Sequence, residues 1–240
     1  MRKFITCISI IAVLAAGACV SANPLDEIRS ASGNFRDLSA SIVVTYANKP
    51  ELMKIDKGFA QSYEFKSASL LFKYPNKVKF SGKVGLLRVD YIVSGDDQII
   101  RVPTLHLTRK DNFADAPQRR QTPLDVGVLS DAIWNDFNVQ LEGDKTVDGR
   151  KQYVLFLKRK DKPRTQRLWV DAETMRLETR EKYEKDGRLE VRFEYSSCHK
   201  LDSVWVPGKI SVYSGSGKLA GVTEYHDIKV NTGVSDSEFR

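Results

Sequence analysis

The sequence predicts a mainly β protein of the α+β class, built on one large antiparallel sheet of about a dozen strands. Three observations lead there. From Leu38 onward, apolar residues alternate with polar ones at a period of two through most of the chain. The alternating segments are separated by short turn signals, which antiparallel neighbours can use and parallel crossovers cannot. No regular succession of strand and amphipathic helix appears that would build a parallel, doubly covered sheet.

Composition narrows the classes further. With 240 residues, 41% of them hydrophobic and 29% charged, the chain falls outside the disordered, collagenous and multi-pass membrane classes. The formal charge of +7 would invite a nucleic-acid reading. The first residues argue against it: Met1-Arg2-Lys3 and the uncharged run Phe4 to Ala16 have the layout of a secretory leader, too short for a membrane span. Two endings compete. Val20-Ser21-Ala22 fits cleavage before Asn23, and Ala16-Gly17-Ala18-Cys19 resembles a lipobox that would leave Cys19 lipidated. On either ending the protein is expected in the periplasm or on the extracytoplasmic face of the cell envelope. Residues 1–22 are then leader, residues 23–240 one domain, and loss of Arg2 and Lys3 lowers the formal charge to +5. Cys198 is left without a partner, so the domain must hold together through its core alone.

The elements follow in order. Asn23 caps a helix that Pro24 starts, Asp26 and Glu27 suit its positive end, and Leu25, Ile28 and Phe35 form its apolar stripe. Leu38, Ala40, Ile42, Val44 and Tyr46 mark the first strand. Leu52, Ile55, Phe59 and Tyr63 fall at helical spacing, weakened by Gly58. Strands then follow through Ala68 to Tyr74 and Leu87 to Val93, with a Gly95-Asp96-Asp97 turn and a return over Ile99 to Val102. Arg109 to Thr122 reads as irregular, and Leu124 to Trp134 as a second helix. Tyr153, Leu155 and Leu157 alternate, as do Leu168 and Val170, around a basic turn holding Lys158, Arg159, Lys160, Lys162, Arg164 and Arg167. Arg176 to Tyr195 reads as a hairpin whose loop is Lys185-Asp186-Gly187, with Gly187 left-handed. That loop places Tyr183 opposite Leu189, Lys182 opposite Glu190, Arg180 opposite Arg192 and Glu178 opposite Glu194. Val204 to Tyr213 and Leu219 to Val230 are the last strands, joined at Gly215-Ser216-Gly217.

Catalytic patterns are weak. His106, His199 and His226 show no metal-ligand spacing, and a zinc site needs three or four converging ligands. Ser214-Gly215-Ser216-Gly217-Lys218 resembles the end of a phosphate loop, but lacks the earlier glycine and the following helix. No nucleophile elbow is present, and Asp96-Asp97 lacks the ligand ladder of a calcium loop. The expectation is a protein without catalytic residues, metal or cofactor. What stands out instead is apolar area: a dozen-strand sheet has one continuous apolar face, and a few short helices are too little to cover it as a packed layer. Curled sheets with such interiors hold apolar ligands.

The order of local features resembles the LolA/LolB-like family of outer-membrane lipoprotein-sorting proteins. The quoted residues are the exported N-terminal helix, the strand Leu38 to Tyr46, the Lys73-Tyr74-Pro75-Asn76-Lys77 turn and Tyr91-Ile92-Val93-Ser94-Gly95. They continue with the helix around Leu124 to Trp134, Trp169-Val170-Asp171, Thr174-Met175-Arg176-Leu177, Val230-Asn231 and Asp236 to Phe239. The resemblance implies an incomplete antiparallel β-barrel with a helical lid over an apolar cavity that holds acyl chains. It implies Leu124, Val128, Leu129 and Ile133 as lid positions, and Tyr183, Leu189, Val191, Phe193 and Tyr195 as the concave wall. It implies as partners lipoprotein acyl chains, a phospholipid or a glycolipid, and a membrane-bound donor or acceptor protein. Nucleic acid is not among them. The protein would be monomeric, with membrane association if Cys19 is lipidated. A lipid-sensing or protein-binding envelope regulator on the same fold is the alternative. The family's carriers also hold a polar latch between lid and barrel, for which the sequence alone identifies no residue here.

Overall fold

The computed structural model describes residues 23–115, 120–160 and 164–240. The leader, Cys19 and both cleavage sites lie outside these residues, as does Lys162 of the basic turn. Helix α1 (Pro24–Ser32) leads into β1 (Asp37–Ala47), α2 (Lys49–Ile55) and α3 (Lys57–Ser62). A meander follows: β2 (Ser67–Lys73), β3 (Lys77–Val84), β4 (Leu87–Ser94), β5 (Asp97–Val102) and β6 (Leu107–Asn112). A 3-10 turn (Pro123–Val126) and α4 (Ala132–Asp136) precede β7 (Phe137–Val147), β8 (Arg150–Arg159), β9 (Thr165–Asp171), β10 (Leu177–Tyr183) and β11 (Leu189–Ser196). The chain closes with β12 (His199–Leu201), β13 (Val204–Val206), β14 (Lys209–Ser214), β15 (Leu219–Val230) and a 3-10 turn (Asp236–Phe239).

Thirteen strands form one antiparallel sheet in the order β6-β5-β4-β3-β2-β1-β15-β14-β11-β10-β9-β8-β7, so the expected single large sheet is present and unclosed, with β6 and β7 as its edges. The first and last long strands meet at its centre: β1 pairs with β2 on one side and with β15 on the other. The apolar face predicted by alternation is buried, with Leu38, Leu70, Phe72, Leu155, Leu157, Leu168 and Val170 fully inaccessible.

Four local expectations are corrected. Arg109 to Asn112 is not irregular but belongs to the edge strand β6, whose charged side chains discourage pairing with another chain. The helix expected through Tyr63 is two helices, because Asp56 ends α2 and its carboxylate accepts the Phe59 amide at 3.0 Å to start α3. The helix expected over Leu124 to Trp134 is broken by Gly127 at φ 76°, which closes the 3-10 turn before α4 begins. The strand expected over Val204 to Tyr213 splits at Pro207-Gly208, where Gly208 lets the Ser197 carbonyl approach within 2.6 Å of where a Cβ would stand.

Candidate ligand-binding site

The β10–β11 hairpin sets the site. Its loop is as expected: Gly187 is left-handed at φ 81°, and the Glu184 amide donates to the Arg188 carbonyl at 2.9 Å. Tyr183 stands opposite Leu189. Beyond that pair the expected register is wrong by one. Glu190 is an extra residue in a bulge, so Lys182 faces Val191, Glu181 faces Arg192 and Arg180 faces Phe193. The shift removes the like-charge pairs Arg180–Arg192 and Glu178–Glu194 that an unbulged hairpin would impose. A second irregularity against β9, between Leu177 and Thr179, turns Arg180 onto the same inner face as Leu177 and Leu168. Two bulges therefore send two cationic side chains, Arg180 and Lys182, to the inside of the sheet.

Two covers lie over this inner wall. One is α2–α3: Phe59 of α3 meets Phe193 edge-on at 6.1 Å, and Tyr63 packs where a Cβ on Gly221 would come within 2.3 Å. The other is the segment from Pro123 to Asp136. Leu124, Val128 and Ile133 are buried beneath it, and the Tyr195 hydroxyl donates to the Leu124 carbonyl at 3.3 Å. Asp125 fastens this cover to the sheet. Its carboxylate accepts from Arg180 Nη1 at 2.8 Å and from the Thr122 amide and hydroxyl at 2.8 and 2.9 Å. Arg180, 3% exposed, also donates through Nε to Gln166 Oε1 at 2.8 Å and lies 5.6 Å from the Phe193 ring centre.

The charges inside are tightly coupled. Burial alone would raise the Asp125 carboxyl, but Arg180, Lys182 and the Thr122 amide outweigh it and hold the group below the usual aspartate range. Burial likewise opposes the Arg180 charge, and Asp125 restores it. Lys182 is pushed down by burial and by Arg180 beside it. Burial raises the phenols of Tyr195 and Tyr225, and that of Tyr63 to about 12, so all three are neutral at ordinary pH.

The predicted wall residues do not all meet. Val191, Phe193 and Tyr195 share the inner face with Arg180. Tyr183 does not: its ring lies 5.2 Å from the Arg167 guanidinium, which pairs with Glu142 at 2.7 Å, and its hydroxyl bonds Arg167 and Glu181. The physical reason is strand alternation, since Tyr183 is the neighbour of inward-facing Lys182. Leu189 is half-buried beyond the bulge. Among the lid positions, Leu129 reaches a cleft of about 190 Å³ that it shares with Leu177, Met175, Val204 and Trp205. Sequence reasoning missed Asp125, Gln166, Arg180 and Lys182. The only trace was Arg180 and Lys182 at i, i+2, a spacing that reads as a solvent face. The basic turn resolves into local pairing: Arg159 lies over Phe137, Lys160 donates to the Trp134 and Asn135 carbonyls, and Arg164 meets Glu184 and Glu190.

Solved structures share this architecture. A LolA superfamily protein from Nitrosomonas europaea aligns with a TM-score of 0.60 at 16% identity, covering 90% of this chain and 96% of that one. A DUF1329 family protein from Desulfovibrio piger aligns at 0.56 and 18% identity, covering 90% and 94%. A protein from Vibrio parahaemolyticus, described as an outer membrane lipoprotein-sorting protein domain, aligns at 0.55 and 14%, with the same coverage of 90% and 94%. No curated protein matches the sequence significantly. A family model described as "uncharacterized protein" matches residues 66–240, most of the chain. The chain therefore belongs to that family of uncharacterized proteins, and it is built on the open LolA-like barrel that the sequence resembled.

Proposed function

We propose that this protein is a non-catalytic carrier of the cell envelope that shelters lipoprotein acyl chains, or the chains of free lipids, between the inner wall and the Pro123–Asp136 cover. Residues 1–22 direct export, and residues 23–240 act as one monomeric LolA-like domain that exchanges cargo with a donor or acceptor protein at a membrane. The observation that carries this reading is the fastening of the cover. The Pro123–Val126 turn and α4, separated at the left-handed Gly127, lie over an apolar wall, and the turn is tied to it by the Asp125–Arg180 pair and the Tyr195 hydrogen bond. The cleft beside Leu129 is about 190 Å³. Ligand sites run to about 300–1,000 Å³, so entry of a chain requires the cover to move. The magnitudes permit that. Shielding a chain of ~14 carbons gains on the order of 11 kcal/mol at ~0.8 kcal/mol per CH₂. Parting the Asp125–Arg180 pair, whose carboxylate side chain is 25% exposed, costs about 1.5–3 kcal/mol, the worth of a hydrogen bond between charged groups.

On this reading Leu124, Val128, Leu129 and Ile133 contact the cargo from above, and Val191, Phe193 and Tyr195 from below. Native mass spectrometry of gently purified protein tests it. Species heavier than the polypeptide by a lipid or acylated-peptide mass are expected. A bare polypeptide mass, together with no displacement of a cavity-binding dye by added lipid, would sink the proposal.

A further inference from the structure

We propose that the rim of the inner wall, where β9, β10 and the β11 bulge approach the hairpin loop, holds a zwitterionic lipid headgroup that carries an ammonium and a phosphate. The inference rests on the carrier reading and names the headgroup chemistry of its cargo. Lys182 of β10 faces Gln166 of β9 on one side and Val191 of β11 on the other. Just beyond this row, Arg164 Nη2 meets Glu184 at 3.4 Å and Nη1 meets Glu190 at 3.7 Å. Exposure rises outward, from 3% at Arg180 to 40% for the Arg164 side chain, so the cluster opens to solvent at the hairpin end.

Groups of both signs are left over in this cluster. Lys182 makes no hydrogen bond or ion pair among the described residues, and neither does the amide nitrogen of Gln166, whose Oε1 is taken by Arg180. Asp125 cannot serve Lys182, since its two oxygens are committed to Arg180 and Thr122. Glu190 Oε2 is buried and accepts no hydrogen bond among the described residues. Arg164 is divided between that carboxylate and Glu184. Lys182 and Glu190 attract each other through space, yet no ion pair joins them. Buried polar groups are ordinarily satisfied, so an orphan ammonium and an orphan carboxylate oxygen in one cluster call for an explanation.

The signs of the two orphans identify the occupant. A phosphate alone would be met by Lys182 and the Gln166 amide, but Glu190 would repel it. An ammonium alone would be met by Glu190, but Lys182, Arg164 and Arg180 would repel it. A headgroup with both signs gives each orphan its counter-charge. The ammonium has to carry N–H donors, as in a phosphoethanolamine, because Glu190 Oε2 lacks a hydrogen bond as well as a close counter-charge. From this position acyl chains run inward over Phe193 and Tyr195, two and four residues further along β11 than Val191 and on the same face.

The test measures displacement of a cavity-binding dye from the full exported chain by three probes with one myristoyl chain each: lysophosphatidylethanolamine, lysophosphatidic acid and monomyristoylglycerol. The parent should bind them in that order, with about tenfold between steps, the worth of one hydrogen bond to a charged group. Lys182→Met should cut the affinity of both phosphate probes relative to the glycerol probe by about tenfold. Lys182→Arg, which keeps the charge, should keep that ratio. Glu190→Gln should cut only the ratio of the ethanolamine probe to lysophosphatidic acid, again by about tenfold. Ratios are read within each variant, so a loss of folded protein moves all three probes alike. Any other order in the parent would overturn the inference, as would a ratio unmoved by Lys182→Met or by Glu190→Gln. An equal loss in Lys182→Arg and Lys182→Met would trace the effect to packing and overturn it too. Equal binding of all three probes would leave the carrier reading standing without this headgroup site, and displacement by none of them would remove both.

Discussion

The two covers over the inner wall are fastened by different chemistry. Under α2, Glu51 is 5% exposed and accepts from Ser214 Oγ at 2.6 Å and Ser216 Oγ at 3.1 Å, with Lys54 at 2.7 Å on its solvent side. Two of its three donors are neutral hydroxyls, Ser214 at the end of β14 and Ser216 in the turn that follows, so opening this contact leaves no counter-charge on the sheet. Beneath the second cover, Asp125 meets Arg180, and separating them strands a charge on the wall. Tyr63 also wedges α3 onto Gly221, and in the second cover the left-handed Gly127 packs against Pro207 and the Tyr195 ring. The first is a brace with several modest contacts. The second sets one charge pair, Asp125–Arg180, beside the Tyr195–Leu124 hydrogen bond and the buried Leu124, Val128 and Ile133.

This contrast can be broken experimentally. Arg180→Met should cost about 3 kcal/mol in denaturant unfolding, because it takes the charged donor from Asp125, whose side chain is 25% exposed, and leaves the buried Gln166 Oε1 without its partner. Asp125→Leu combined with Arg180→Met should recover most of that loss, and a double variant as unstable as the single one would refute a coupled fastening. Gly127→Ala comes next. A Cβ there would lie 2.6 Å from Pro207 Cγ and 2.9 Å from the Tyr195 ring, at a left-handed φ. A loss of roughly 1–3 kcal/mol is expected, and an unchanged melting temperature would show that the turn tolerates a side chain.

Glu51→Gln sharpens the first cover. The Lys54 contact and the two serine hydroxyls lower the Glu51 carboxyl from 4.5 to about 2. Its stabilisation is thus complete above pH 4.5 and lost as the pH falls towards about 2. The variant should melt lower than the parent at neutral pH, and the two should converge in acid. A gap that persists at pH 2 would assign the effect to packing. The smallest effect belongs to Lys182. Its lowered pKa means that the unfolded chain binds more protons on the alkaline side, so parent stability should gain as pH rises towards 10.5. Lys182→Met should remove that slope and raise stability at neutral pH by about 1 kcal/mol. A drop instead would reveal a favourable partner for the ammonium.

The features legible in the sequence were local. Gly187 announced its hairpin loop, Asn23-Pro24 its helix start, and the alternation of Leu38, Ala40 and Ile42 its buried face. The misread register of β10 and β11 has a specific cause. A bulge adds one residue without any residue type that requires it, and Glu190 is equally acceptable paired or bulged. Once that residue is miscounted, Arg180 and Lys182 exchange faces with Tyr183, and the wall loses its charged members.

By itself the sequence determined the class of fold, the turns and the apolar face, because each depends on neighbours within a few residues. Only the tertiary structure decided how the face is covered and held. Asp125 and Arg180 are 55 residues apart, and each alone reads as an exposed charge. A charged side chain on an apolar face becomes a fastening only when folding brings its counter-charge to it, and local patterning carries no record of that meeting.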